Sequence, residues 1–213
     1  MSNVTKPKMP DIQLMAKIAL LSAIAFVLSI EGLFRFRIPM LFPEFLAMDI
    51  SDVPAVIGAI TLGPIAGAWI LGLGNVLTMV ITGSISMGIG PLANFIFGVA
   101  YILPLCYFYN RYGKNTKSFA LGAIVGTVMS TAMAGLLNYF MVIPAFAFAM
   151  DVDLDAIVRI GSNTNEGINS LMTLVLFGIV PFNLAKNVLV SIVGFALYKA
   201  FKPVLNVIFK KRV

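Results

Sequence analysis

Asn183, Lys186 and Asn187 put two carboxamides and one amine on a single helix face, because residues three and four apart share one side of an α-helix. They stand near the centre of an apolar run from Ser170 to Tyr198, long enough to cross a bilayer as one helix. Lys186 is about 18 Å from the nearer end of that run at the helical rise per residue. That is too far for its stem to carry the ammonium to the headgroups. An ionisable residue at such depth costs at least about 2.5–3.5 kcal/mol and normally faces a polar interior or a ligand. Two uses remain open: a polar clamp between helices, or one wall of a small-molecule site.

Three more amides, Asn75, Asn94 and Asn138, fall in or at the ends of apolar stretches. A carboxamide both donates and accepts hydrogen bonds. Such a set suits a neutral heterocycle whose edge alternates carbonyl and N–H, with phenylalanine, tyrosine or Trp69 covering its flat faces. Any one of these asparagines alone reads equally well as a helix–helix hydrogen bond.

Other chemistries lack their residues. The sequence contains no histidine and a single cysteine, Cys106, which excludes an internal disulfide and leaves no ligand cluster of metal-site spacing. Cys106 lies between Leu105 and Tyr107 and reads as a packing residue. No acid falls within an apolar run, so neither an acid–base enzyme nor a carboxylate proton carrier is indicated. Lys186 could shuttle a proton only with a loop acid such as Glu44. No nucleotide-cradling G-x-x-x-x-G-K-[ST] run is present. The chain is expected not to be an enzyme and to hold no cofactor.

The elements that carry the amides follow from composition. Hydrophobic residues are 60% of the chain and charged residues 11%, against about 45–50% and 25% in soluble domains. The expected fold is an all-α integral membrane protein, residues 1–213 forming one membrane domain, with six transmembrane helices. These are expected at about 12–30, 51–62, 64–81, 91–109, 118–150 and 170–198. The first helix follows a polar, basic leader and is expected to be retained rather than cleaved. Ala19 and Ala23 form a small-xxx-small pair there, a spacing that lets another helix approach closely. Gly63-Pro64 separates the second helix from the third, and Pro144 is placed to kink the fifth. A short helix is expected at about 154–160. Between the first two helices, Glu31 to Asp49 carries two arginines, two prolines and four phenylalanines. A loop of that length reads as a functional lid rather than a tether, its aromatics, Phe42 among them, over a planar ligand.

The net charge of +6 is distributed by side rather than gathered for nucleic acid. Eleven of the fifteen basic residues lie in the leader with the first turn, in Arg111–Lys117, and in the tail from Lys199. With an even number of spans these segments share one side, and the positive-inside tendency makes it cytoplasmic, as it does both termini. The lid loop then faces outward.

One resemblance covers residues 12–201. The run Phe42-Pro43-Glu44-Phe45-Leu46-Ala47-Met48-Asp49-Ile50-Ser51-Asp52-Val53-Pro54-Ala55 resembles the lid and second helix of the riboflavin-binding membrane subunits of energy-coupling factor (ECF) transporters. The likeness continues in order through Gly63-Pro64-Ile65-Ala66-Gly67, Gly90-Pro91-Leu92-Ala93-Asn94-Phe95, Leu137-Asn138-Tyr139-Phe140 and Pro181-Phe182-Asn183-Leu184-Ala185-Lys186. It implies a substrate-capture subunit that binds riboflavin near the outer face, held by Asn138, Asn183 and Lys186 with Glu44 and its lid neighbours. It also implies docking through Ala19 and Ala23 onto a transmembrane coupling protein that binds two cytoplasmic ATPases. The chain departs from the family pattern at Gly74-Asn75, where relatives often carry a lysine before the asparagine. A different vitamin, such as folate, thiamine or pantothenate, and a stand-alone ion-coupled carrier are the competing expectations.

Overall fold

The computed structural model describes residues 12–84 and 86–208, with side chains described as far as Lys202. All regular elements among them are helical: α1 (Ile12–Leu28), α2 (Val53–Leu62), α3 (Pro64–Thr82), α4 (Ile89–Arg111), α5 (Thr116–Leu137), α6 (Ile143–Met150), α7 (Leu154–Ser162), α8 (Leu171–Leu174) and α9 (Val180–Ile208). Five-residue π turns join α5 to α6 and α8 to α9, so each pair forms one long rod. Four helical stretches are long and apolar enough to cross a membrane: Pro64–Thr82, Ile89–Arg111, Thr116–Met150 and Leu171–Lys202. α1 and α2 are shorter, at 17 and 10 residues.

Local chemistry explains the breaks. Gly63 holds φ at +110°, a conformation open to glycine, and Pro64 starts α3 in its first turn, where the missing N–H removes no helical bond. Asn115 opens α5 with a reciprocal cap: its Oδ1 accepts from the Ser118 N–H at 2.9 Å, and Ser118 Oγ accepts from the Asn115 N–H at 3.0 Å. Each π turn ends within two residues of a proline, Pro144 after 138–142 and Pro181 after 175–179. Proline cannot donate to the carbonyl four residues back and its ring crowds it. A widened turn accommodates that defect without ending the rod.

The core gathers around α2. Its sequence is apolar on every side, the mark of a helix buried all round, and every residue from Val53 to Ile60 except Ile57 is buried. Ile70 and Leu71 of α3, Tyr101, Ile102 and Leu105 of α4, Phe119 and Ala123 of α5, and Val190 of α9 pack into the same cluster. α4 and α5 meet backbone to backbone. A Cβ on Gly126 would lie 2.5 Å from the Tyr101 carbonyl oxygen, and one on Gly122 2.8 Å from that of Leu105. Small residues permit this approach, and Ser130 Oγ spans the same seam by donating to the Phe97 carbonyl at 2.9 Å.

The segment 29–52 folds against the end of the bundle. Phe36 and Met48 exchange backbone hydrogen bonds of 2.9 and 2.8 Å, closing the loop on itself. Pro43 packs against Gly178, and the Phe42 ring meets Phe182 edge-on at 5.3 Å between centroids. Leu46 packs on a second cluster that includes Ile143, Ile157, Ile168 and Leu174. The loop is thereby fixed to the beginning of the last rod.

Gly126→Val should lower stability by about 1–3 kcal/mol through overpacking against α4, whereas Ala120→Val on the exposed side of α5 should change it little. Unfolding by SDS titration from mild-detergent micelles checks both.

Candidate ligand-binding site

The last rod carries the polar face inward. Asn183, Lys186 and Asn187 are each under 10% exposed although they belong to an otherwise apolar helix. Beside them a narrow cleft is lined by Asp52 and Val56 of the α2 end, Leu71 of α3, and Asn94, Phe97, Gly98, Tyr101 and Ile102 of α4. Ser130 and Val190 complete the wall with Asn183, Lys186 and Asn187.

Two carboxylates compensate the buried amine. Lys186 Nζ lies 3.2 Å from Asp52 Oδ2 and 3.5 Å from Asp49 Oδ1. Asp49 also accepts from the Ser51 hydroxyl at 2.6 Å and the Ser51 N–H at 3.1 Å. Arg35 Nε stands 4.0 Å from Asp49 Oδ2, an electrostatic neighbour rather than a hydrogen-bond donor. Asp52 occupies the N-cap position of α2, yet its side chain makes no capping bond and turns to Lys186 instead. Burial alone would raise Asp49, but Lys186, the Ser51 bonds and Arg35 outweigh it and hold Asp49 below the usual carboxylate value.

The amides divide into two groups. Asn183 Nδ2 donates to the Ile179 carbonyl at 2.9 Å, which fixes the side chain and leaves its oxygen uncommitted. Asn187 Nδ2 is buried and makes no hydrogen bond among the described residues, a costly state for a donor beside a cleft unless a ligand or water meets it. Ser191 Oγ donates to the Asn187 carbonyl at 2.6 Å and is itself 2.6 Å from the Tyr101 hydroxyl, tying this turn of α9 to α4. Asn94 is half-buried at the cleft. Asn75 and Asn138 are outside its lining, and each donates to the carbonyl four residues back, Leu71 at 2.9 Å and Ala134 at 2.8 Å.

The structure places the other expected residues around this cluster. Glu44 is exposed, and the carboxylates that meet Lys186 are Asp49 and Asp52. Acids therefore do reach the bundle interior, carried in by the loop rather than by an apolar run. Trp69 is 60% exposed on the outside of α3, and the aromatic residues at the cleft are Phe97 and Tyr101. Phe42 reaches the site indirectly, through its contact with Phe182 next to Asn183. Ala19 and Ala23 are exposed on the outward face of α1. The available signal for the missed pair was stoichiometric: a lysine buried in an apolar run demands a counter-charge, and Asp49 and Asp52 flank the entry to a helix with no charge of its own.

Lys186→Met leaves two buried carboxylates facing each other and should cost about 3–5 kcal/mol. Adding Asp49→Asn and Asp52→Asn should recover most of that loss in the same micellar unfolding assay. On acidification, infrared spectroscopy should show the protonated-carboxyl band of Asp49, identified by its loss in Asp49→Asn, growing in only below the usual aspartate value.

The comparisons agree with one another. The family model described as the substrate-specific component of ECF transporters matches residues 13–198. The riboflavin transporter RibU of Staphylococcus aureus (strain TCH60) is 34% identical over 184 residues, covering 85% of this chain and 86% of the relative. The riboflavin transporter FmnP of Bacillus subtilis (strain 168) is 33% identical over 187 residues, covering 87% and 90%. A solved structure described as the S component of a bacterial ECF transporter superposes with a TM-score of 0.72 at 30% identity, over 91% of this chain and 97% of that one. The chain belongs to the family of substrate-specific components of ECF transporters.

Proposed function

We propose that this chain captures riboflavin and serves its uptake as the substrate-specific subunit of an ECF-type transporter. The observation that carries the reading is one cleft in which Asn94, Asn183, Lys186, Asn187 and Asp52 meet Phe97 and Tyr101. That combination gives hydrogen bonds to a carbonyl and N–H edge and flat surfaces for its rings. The names of the two relatives point to the same ligand.

In this reading the chain is one membrane domain of six crossing helices in a prokaryotic plasma membrane, both termini cytoplasmic. The segment 29–52 is the lid on the outer side. Asn183, Lys186, Asn187 and Asn94 contact the flavin directly. Asn138, Glu44 and Phe42 join them as the lid and the 138–142 turn close, and Asn75 steadies α3. The exposed face with Ala19 and Ala23 docks on a transmembrane coupling protein, whose two ATPase partners supply the energy.

Protein purified in mild detergent should carry flavin absorbance or quench the fluorescence of added riboflavin on binding. Lys186→Ala should weaken that binding at least tenfold, and unchanged affinity would remove Lys186 from the site. Liposomes holding only this chain should fail to accumulate riboflavin under an ion gradient and should gain uptake when the coupling protein and ATPases are added with ATP. Accumulation by the chain alone would contradict the assignment.

A further inference from the structure

We infer that the hairpin end of α4 and α5, with the adjoining end of α9, binds an anionic phospholipid, its phosphate on Arg111, Lys114 and Lys117 and its acyl chains on the apolar stripes of the two helices. No acidic residue occurs between Asp52 and Asp151 or after Glu166. The hairpin lies in the first of these gaps and the end of α9 in the second. Arg111, Lys114 and Lys117 are exposed, as are Lys199 and Lys202. Among the described residues none of the five forms an ion pair. The two segments share one corner: Tyr109 donates to the Tyr198 hydroxyl at 3.0 Å, and the Phe119 and Phe195 ring centroids lie 4.6 Å apart. Lys199 is about 25 Å along α9 from Phe182 at the helical rise, so this corner is not the end on which the segment 29–52 folds. Cations gathered without a counter-charge repel one another, and a bound anion relieves that repulsion.

The turn between the helices is held in one shape. The Tyr112 N–H donates to the Phe108 carbonyl and the Lys114 N–H to that of Tyr109, each at 3.0 Å, and Asn115 caps α5. Lys114 has φ of +51°, a left-handed conformation uncommon for lysine and fixed here by the bonds on either side. A set backbone therefore presents the three cations.

The surface beside the charges selects a lipid over a soluble anion or an acidic protein segment. Leu103, Tyr107 and Arg111 follow one another at four-residue spacing on α4, and Lys117, Leu121, Ile124 and Val128 at helical spacing on α5. All of them are exposed. Each stripe is apolar along the helix and cationic at its end. Phe108 stands between Tyr107 and Tyr112, at 5.3 and 5.8 Å between centroids, and such aromatics favour the headgroup level of a membrane. The Arg111 guanidinium suits a phosphate through paired N–H bonds. An amphiphile with a phosphate head and long chains meets both surfaces, whereas a hydrophilic partner leaves the stripes uncovered. The proposed orientation puts this corner in the cytoplasmic leaflet, whose surface is negatively charged.

The test is native mass spectrometry of the protein released from detergent micelles that hold equal amounts of dioleoylphosphatidylglycerol and dioleoylphosphatidylcholine. The wild type should retain the anionic lipid at least fivefold over the zwitterionic one. The triple variant Arg111→Gln, Lys114→Gln and Lys117→Gln should bring that ratio within twofold, while Arg159→Gln, which removes a cation from α7, should leave it unchanged. The three side chains are exposed, so the triple variant should match the wild-type Tm in phosphatidylcholine micelles. If it does not, Lys117→Gln alone should still at least halve the ratio. Glycerol 3-phosphate, the headgroup chemistry without chains, should not displace the lipid. A wild-type ratio within twofold, a ratio that the hairpin variants leave in place, or a fall in Arg159→Gln as large as theirs overturns the inference. Displacement by glycerol 3-phosphate overturns it in favour of a soluble phosphate, and displacement by a polyglutamate peptide in favour of an acidic protein segment.

Discussion

A single ammonium in a hydrocarbon-spanning rod sets the terms for the surrounding structure. Lys186 cannot reach water along its own helix, so its counter-charges must come to it. They come on the segment that leads into α2, where Asp49 and Asp52 approach within 3.5 and 3.2 Å. That requirement is consistent with a second helix that is short, uncharged and buried on nearly every side: it starts beside the lysine rather than at a membrane surface. It also accounts for the folding of residues 29–52 against the bundle, with Pro43 on Gly178 and Phe42 on Phe182 holding the acids in register. Ion pairs of this kind contribute little net stability after desolvation, yet losing one partner is severe. Their presence therefore argues for a use beyond stability.

The two π turns fit that use. Asn138 begins one, and Asn183 follows closely after the other. Turns of this type lie often at functional sites because they re-aim side chains without breaking a helix. The tight seam of Gly122 and Gly126 against α4 supplies the rigid wall from which Asn94, Phe97 and Tyr101 face the cleft. Rigid helices thus present the amides, while the loop supplies charge compensation.

Much of this was legible in the amino-acid order. Long apolar runs broken by Gly63-Pro64 and Pro91 announce membrane helices, since glycine and proline act on the backbone locally. Lys186 announced itself because its cost depends only on the length of the run around it. The pairing of Lys186 with Asp49 and Asp52 was not legible, because it joins residues more than 130 positions apart and Asp52 looks like an ordinary helix cap. Glu44 and Trp69 show the same limit: residue type suggests an interaction, but packing decides where a side chain lies, and both are exposed. Asn75 and Asn138 show the converse, amides whose donors are satisfied within their own helices.

On the proposed reading, a charge-balanced lysine and neighbouring amides receive riboflavin. The most direct test is an experimental structure of the protein with riboflavin bound. The account predicts a flavin carbonyl within hydrogen-bond distance of Lys186 Nζ and a carboxylate still beside it. A flavin seated elsewhere, with Lys186 enclosed by Asp49 and Asp52 and out of reach, would contradict it.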